Sequence, residues 1–134
     1  FRLLGDKNPD TFSAICSFRT EDARRFNEQN PDIGTIYYQS YAFLMKHSRS
    51  DMLMWLPNLV VRHWDGENDG LLSPESVKWG KFKGVVTGVG SRGISHCDEV
   101  DMRRCRLSCK KGNGVSDISD FYVGIAKELE QMGF

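Results

Sequence analysis

Two short segments carry residue types that could act as a catalytic acid and base. Asp69 lies in Asn68-Asp69-Gly70, and His96 opens His96-Cys97-Asp98-Glu99-Val100. In a nucleophilic triad, a histidine takes the nucleophile's proton on one ring nitrogen while a carboxylate orients the other. Taken alone, Asp69 is typical of a turn and His96 of a loop hydrogen bond. Together they match two triad roles, whereas Gly-x-Ser-x-Gly, the usual setting of the serine, does not occur in the 134 residues.

Length and charge narrow the function classes. A chain of 134 residues predicts a single segment of one domain over 1–134. Eighteen basic residues balance eighteen acidic ones, which argues against nucleic acid or an anionic membrane as a partner. The longest apolar stretch, around Met52 to Val61, is shorter than the roughly 20 residues that cross a bilayer. The opening at Phe1 has no signal-peptide pattern and predicts a fragment or a processed product.

The cysteines point to free thiols rather than to a disulfide scaffold. Cys16, Cys97, Cys105 and Cys109 form no Cys-x-x-Cys pair, so a reducing compartment such as the cytoplasm is slightly favoured. Zinc held by His96 and the last three cysteines is disfavoured, because only Cys105 and Cys109 approach the usual ligand spacing.

Two aspartates after the histidine leave two interpretations open. Asp98 and Asp101 are typical of a solvated helix start, and they are also hard oxygen ligands of the kind that calcium binds. A cation there would hold the histidine loop in register without contacting substrate.

A glycine-rich stretch precedes the histidine. Gly88-Val89-Gly90-Ser91-Arg92-Gly93 is formally G-x-G-x-x-G, but no second hydrophobic strand follows it, so a dinucleotide site is disfavoured. We interpret these glycines as a mobile loop that positions His96.

Helix signals occur in four places. Asn8-Pro9-Asp10 starts a helix that continues through Cys16, and Thr20 caps a second helix with Ala23 and Phe26 on its inner face. Asn30-Pro31 ends that second helix. The apolar segment Asp51 to Val61 predicts a helix or a helical turn that is broken near Pro57. Residues Asp117 to Met132 predict an amphipathic terminal helix.

Two strands separated by helical material complete the pattern. Thr35–Ala42 and Lys83–Gly88 are the strand candidates. Strands connected in this way predict parallel pairing in an α/β sheet, with Asp69 and His96 in loops that follow successive strands. Parallel sheets usually have more than two strands and need cover on both faces, so this chain is predicted to be part of a larger sheet domain.

Both site motifs resemble those of bacterial α/β-hydrolase lipases, the triacylglycerol lipase group. Asn68-Asp69-Gly70-Leu71-Leu72 is similar to the family's Asn-Asp-Gly-Leu-Val around the catalytic acid. His96-Cys97-Asp98-Glu99-Val100 is similar to His-Leu-Asp-Glu-Val around the catalytic histidine and departs at Cys97. The resemblance runs from about Thr35 onward, and the order of acid, histidine and final helix agrees.

This resemblance implies the C-terminal part of an α/β-hydrolase fold that acts on ester or lipid substrates when complete. Asp69 would orient His96, and the serine and the oxyanion hole would lie in the N-terminal part of the same domain. No cofactor is required. Several members bind calcium through an aspartate two residues after the histidine, which Asp98 matches, and another before the acid, which Asp51 matches approximately.

A second interpretation belongs to a different class of protein. The chain could be a non-catalytic α/β interaction module that completes its sheet against a partner chain. Under either interpretation, we expect Tyr37, Tyr41, Val85 and Val86 to be exposed in the isolated chain and to drive pairing.

Overall fold

The computed structural model describes residues 10, 20–88, 90–102 and 117–134. The chain contains two compact units, Phe1–Tyr37 and Tyr38–Phe134. In chain order the elements are α1 (Thr20–Gln29), β1 (Gln39–Phe43), a 3-10 turn (Ser48–Ser50), α2 (Trp55–Asp65), β2 (Lys81–Val86), α3 (His96–Glu99) and α4 (Ile118–Gln131). The helix predicted from Asn8 to Cys16 falls almost entirely outside the described residues. Among the described helices, none has the length and apolar character needed to cross a membrane.

In the first unit, α1 has the predicted ends but not the predicted buried face. The helix starts at Thr20, has acidic residues in its first turn and ends before Asn30-Pro31. Phe26, expected on an inner face, is 64% exposed. The described residues of this unit do not cover the side of α1 that carries Phe26, so the Phe26 ring faces solvent.

The second unit contains a small parallel sheet, as the sequence predicts. β1 pairs with β2 in parallel, from Gln39 opposite Lys81 to Phe43 opposite Val86, with a register shift between Ser40 and Ala42. β1 begins later than predicted, and β2 lies two residues earlier than predicted. The described fold is therefore a mixed helix and strand arrangement with a two-stranded parallel sheet.

The terminal helix packs against this sheet through apolar side chains near its start. Phe43, Ile94 and Ile118 form the buried cluster, and Tyr41, Val86 and Phe121 pack against it. The Phe121 ring meets Tyr41 and Phe43 edge to face, at centroid distances of 5.1 and 5.4 Å. The expectation that Tyr41 and Val86 are exposed is therefore wrong, because both are partly buried against this cluster.

The expected break at Pro57 is also wrong. α2 runs without interruption from Trp55 to Asp65, and Pro57 lies in its first turn. Amide groups of a first turn have no acceptor within the helix, so a proline that lacks an N–H is tolerated there. The Asp51 carboxylate precedes the helix and accepts hydrogen bonds from the backbone of Leu53 and Met54, at 2.8 and 3.2 Å.

The segment that leads to His96 is held by backbone hydrogen bonds. Met45 and Gly93 form an antiparallel bridge, and the Ile94 N–H donates to Leu44 O at 2.8 Å. Gly93 has a φ of 77°, and a Cβ there would lie 2.4 Å from Leu44 O. The interpretation of these glycines as a mobile loop therefore fails at Gly93, where the glycine permits close backbone approach instead.

Replacing Gly93 by alanine tests this close approach. We expect Gly93→Ala to lower the free energy of unfolding by more than about 2 kcal/mol, since the new methyl group meets backbone atoms and the φ is unfavourable for alanine. The matched control is Gly124→Ala in α4, where a Cβ meets nothing within 4 Å and alanine should stabilise the helix by up to about 1 kcal/mol. Urea unfolding measures both changes, and equal effects would show that Gly93 is not conformationally required.

Candidate functional site

The turn that carries Asp69 is closed by its own carboxylate. Oδ1 of Asp69 accepts hydrogen bonds from the backbone N–H groups of Leu71 and Leu72, at 2.8 and 2.7 Å. Gly70 follows with a φ of 117°, and a Cβ there would lie 2.7 Å from Met54 Cβ. The Asn-Asp-Gly sequence thus forms a tight turn against the start of α2, and the Asp69 side chain is only 4% exposed.

A buried pair of amide side chains joins this turn to α2. Asn58 Nδ2 donates to Asn68 Oδ1 at 2.7 Å, and Asn68 Nδ2 donates to Asn58 O at 3.2 Å. Asn68 Oδ1 also accepts from the Gly70 N–H at 2.8 Å, and Ser48 Oγ donates to Asn58 Oδ1 at 2.6 Å. The role of Asn58 was not predicted, because Asn58 lies in no recognised motif and only its burial in the fold identifies it.

His96 is the first residue of a short capped helix, not a loop residue. Ser95 accepts from the Asp98 N–H, and the Asp98 side chain accepts from the Ser95 N–H, which makes a capping box at the start of α3. The His96 N–H donates to Asp69 O at 2.8 Å. Backbone contacts alone therefore bring the histidine and the acid turn together.

The two predicted residues meet through their side chains as well. His96 Nδ1 lies 2.9 Å from Asp69 Oδ2, so the predicted hydrogen bond is present. The His96 side chain is 37% exposed, and among the described residues Nε2 makes no hydrogen bond. One ring nitrogen is held, and the other is available to a reacting group. The catalytic role of this pair stays a prediction.

The charge on Asp69 determines which ring nitrogen of His96 carries the proton. Burial by itself would raise the pKa of the Asp69 carboxyl. Hydrogen bonds from Glu99, from two backbone amides of its own turn and from His96 outweigh burial, and the pKa lies below its ordinary value. Asp69 is therefore ionised at neutral pH and can only accept, so Nδ1 of His96 carries the proton.

A second acid, Glu99, contacts this pair and was not predicted as a site residue. Burial, a hydrogen bond with Asp69 and the charges of Asp69 and Asp98 raise the pKa of Glu99 to about 9. At neutral pH Glu99 is therefore protonated and donates to the Asp69 carboxylate. Its Oε2 lies 3.8 Å from His96 Nδ1, while its buried Oε1 has no hydrogen-bond partner in the described part of the chain. In the sequence, only the i, i+3 spacing of His96 and Glu99, which places both on one side of a helix, indicated that Glu99 could reach the site.

Metal ligands are present in the same cluster. Ligand atoms of Asp69, His96 and Glu99 lie within 4.8 Å of one another. The first two atoms already bond each other, and a protonated Glu99 is a poor ligand, so this cluster is a weak metal candidate. Cys97 is buried, and Cys105 and Cys109 fall outside the described residues.

The predicted calcium ligands also come together, on Ser95. Ser95 Oγ lies 2.5 Å from Asp51 Oδ2 and 2.9 Å from Asp98 Oδ2. Asp98 is 4% exposed and forms an ion pair with Arg92 at 2.8 Å, so the interpretation of Asp98 as solvated is wrong. Asp101 is exposed and has a φ of 50°. Calcium prefers six to eight oxygen ligands, and the donors already bound to Asp51 and Asp98 do not fit it.

Comparison with protein-family models, curated proteins and solved structures finds no match to this chain. Its functional interpretation therefore depends on the motifs and on the geometry of the site.

Neutralising Glu99 permanently tests the protonation of this cluster. An unfolded glutamate ionises near pH 4.5 and Glu99 in the fold near 9, so the folded state holds the extra proton between these values and stability falls as pH rises. The slope is at most about 1.4 kcal/mol per pH unit. We expect Glu99→Gln, which keeps an N–H donor, to remove this fall.

The measurement is the free energy of unfolding across pH 5 to 9 by urea titration of both proteins. Glu67→Gln is the control, since Glu67 is exposed beside the same turn and its replacement should leave the slope unchanged. A Glu99→Gln profile parallel to that of the unmodified protein would show that Glu99 is ionised in the fold.

Proposed function

We propose that this chain supplies the acid and the base of a serine hydrolase that cleaves carboxylic esters, with an α/β-hydrolase fold. The observation that carries the proposal is the 2.9 Å contact of His96 Nδ1 with the buried Asp69 carboxylate. The nucleophilic serine and the oxyanion hole belong to a part of the protein outside this sequence.

The described geometry supports a separate role for each atom of the pair in this proposal. His96 Nε2 accepts the serine proton as the serine oxygen attacks the ester carbonyl, and the Asp69 carboxylate stabilises the imidazolium that forms. The same nitrogen then gives its proton to the leaving alcohol. In the second half, His96 activates water, which cleaves the acyl-enzyme and frees the carboxylic acid.

The arrangement of strands supports this proposal. In α/β sheets, reacting groups gather in the loops at the carboxyl ends of neighbouring parallel strands. Asp69 lies on the connection that follows β1, and His96 follows β2, its parallel neighbour. Ser95, although adjacent to His96, does not fit the role of nucleophile, because it is buried and its hydroxyl is bound between Asp51 and Asp98.

Apolar side chains beside the acid turn support an ester with an apolar acyl group. Leu71 and Leu72, in the Asp69 turn, are 46 and 38% exposed. Large apolar side chains are also exposed in α2 and in the residues just before it. They are Met52, Leu53, Trp55, Leu56, Leu59, Val60 and Trp64. Contact with an acyl chain would remove these side chains from water. Burial of apolar surface stabilises such a complex by about 25 cal/mol per Å².

An amide in place of the acid separates catalysis from stability. In Asp69→Asn, the side-chain oxygen can still accept from the turn amides, but the new NH₂ group cannot accept the His96 Nδ1 proton. We expect turnover in the complete protein to fall on the order of 10⁴-fold, since the imidazole is then held in the wrong tautomer. Ester hydrolysis and urea unfolding, measured on the same preparations, separate the two effects.

The matched control is Asp65→Asn at the exposed end of α2. Removing a surface charge should change the free energy of unfolding by less than about 0.5 kcal/mol and leave turnover unchanged. Equal losses of turnover in the two variants would show that Asp69 is not the orienting acid.

A second candidate function is a non-catalytic module that completes its sheet with a partner chain. It is favoured by the sheet itself, which has only two strands in the described part of the chain, and by Val85, which is 43% exposed on β2. A complete protein that hydrolyses no ester, but binds a partner through β1 or β2, would favour this alternative.

A further inference from the structure

Arg92 is held on two sides beside the candidate site. Its Nη2 contacts both carboxylate oxygens of Asp98, at 3.0 and 2.8 Å, and its Nε donates to Ser50 O at 2.8 Å. The Arg92 side chain is 26% exposed, whereas that of Asp98 is only 2% exposed. The guanidinium therefore joins the segment before α2 to the segment that carries His96.

Two buried carboxylates, those of Asp51 and Asp98, lie next to each other and share the hydroxyl of Ser95. Ser95 Oγ contacts Asp51 Oδ2 and Asp98 Oδ2, and Asp51 is 1% exposed. Buried carboxylates are costly unless a cation or hydrogen-bond donors compensate them. Within this group, the Arg92 guanidinium binds the Asp98 carboxylate.

We propose that the Arg92 guanidinium is the built-in structural cation of this group and takes the place that calcium has in the lipases the sequence resembles, so that His96 is positioned without a metal. The part of this proposal that concerns activity rests on the proposed function.

Every carboxylate oxygen of the group already has a donor. Asp51 Oδ1 accepts from two backbone amides, and Oδ2 accepts from Ser95. Asp98 Oδ1 accepts from Arg92, and Oδ2 accepts from Arg92 and from the Ser95 N–H. Calcium would have to displace these donors and to exclude a guanidinium of the same charge sign.

The group acts on His96 through the helix cap. Asp98 holds the Ser95 N–H at 3.0 Å, and Ser95 is the N-cap of the helix whose first residue is His96. Arg92 holds Asp98 in place, and in the described structure it forms no hydrogen bond or ion pair with Asp69 or His96. It is therefore a positioning residue, which acts through Asp98 and Ser95.

The test uses the complete protein with Arg92→Ala and Arg92→Lys, and Arg62→Ala as a control at an exposed position of α2. Thermal melting and ester hydrolysis are measured with millimolar calcium, with a chelator, and with millimolar guanidinium. For the unmodified protein, we expect no effect of calcium or chelator on Tm or on turnover.

We expect Arg92→Ala to lower Tm on the order of 10 °C, because the buried Asp98 carboxylate, which shares Ser95 with buried Asp51, loses its bound cation. Its turnover should fall about 100-fold with little change in KM, since a small misplacement of the base has that cost. Millimolar guanidinium should restore part of both losses. Arg92→Lys should keep part of the stability, because an ammonium supplies the charge but cannot bind Asp98 and Ser50 O at the same time, as the guanidinium does.

Two results would overturn the proposal. One is an unmodified protein that loses Tm in chelator and regains it with calcium, and the other is an Arg92→Ala protein that melts like Arg62→Ala. The melting data do not depend on hydrolysis. A protein that cleaves no ester but shows the expected Tm pattern would therefore contradict the proposed function while supporting Arg92 as the structural cation.

Discussion

The burial of the Asp69 carboxylate is the constraint on which the rest of the site depends. A buried charge must be matched by donors, and this one takes hydrogen bonds from two backbone amides of its turn, from His96 and from Glu99. Because these donors lower the pKa of Asp69 despite its burial, the charge persists at neutral pH. The proton of His96 is thereby placed on Nδ1, and Nε2 has no hydrogen-bond partner among the residues that the structure describes.

Two largely buried polar groups flank this pair, and each holds one half of it. The Asn58–Asn68 amides fix the acid turn to α2, while Ser95, Asp98 and Arg92 fix the start of α3. Neither group lies in the small apolar cluster of Phe43, Ile94 and Ile118. In this part of the chain, hydrogen bonds and ion pairs therefore determine the positions of the site residues. Apolar packing of α4 on the sheet stabilises the elements that carry them.

The pairing of Asp69 with His96 could be predicted because the two motifs together match the acid and the base of a triad, although each motif alone is typical of a turn or of a loop hydrogen bond. Parallel strands and the terminal helix were also predictable from local composition. Asn58, Glu99 and Arg92 were not, since each acts through residues that only folding brings near. The break predicted at Pro57 was wrong because the effect of a proline depends on its place in the helix. The mobile loop predicted at Gly93 was wrong because close backbone contact favours glycine just as mobility does.

The most direct test of the central claim is a crystal structure of the complete protein after reaction with a fluorophosphonate, which forms a covalent adduct with an activated serine. We expect one modified serine, with its Oγ about 3 Å from His96 Nε2 and with the Asp69 contact to Nδ1 retained. An unmodified protein, or an adduct on a serine remote from His96, would contradict the assignment of this pair as a catalytic acid and base.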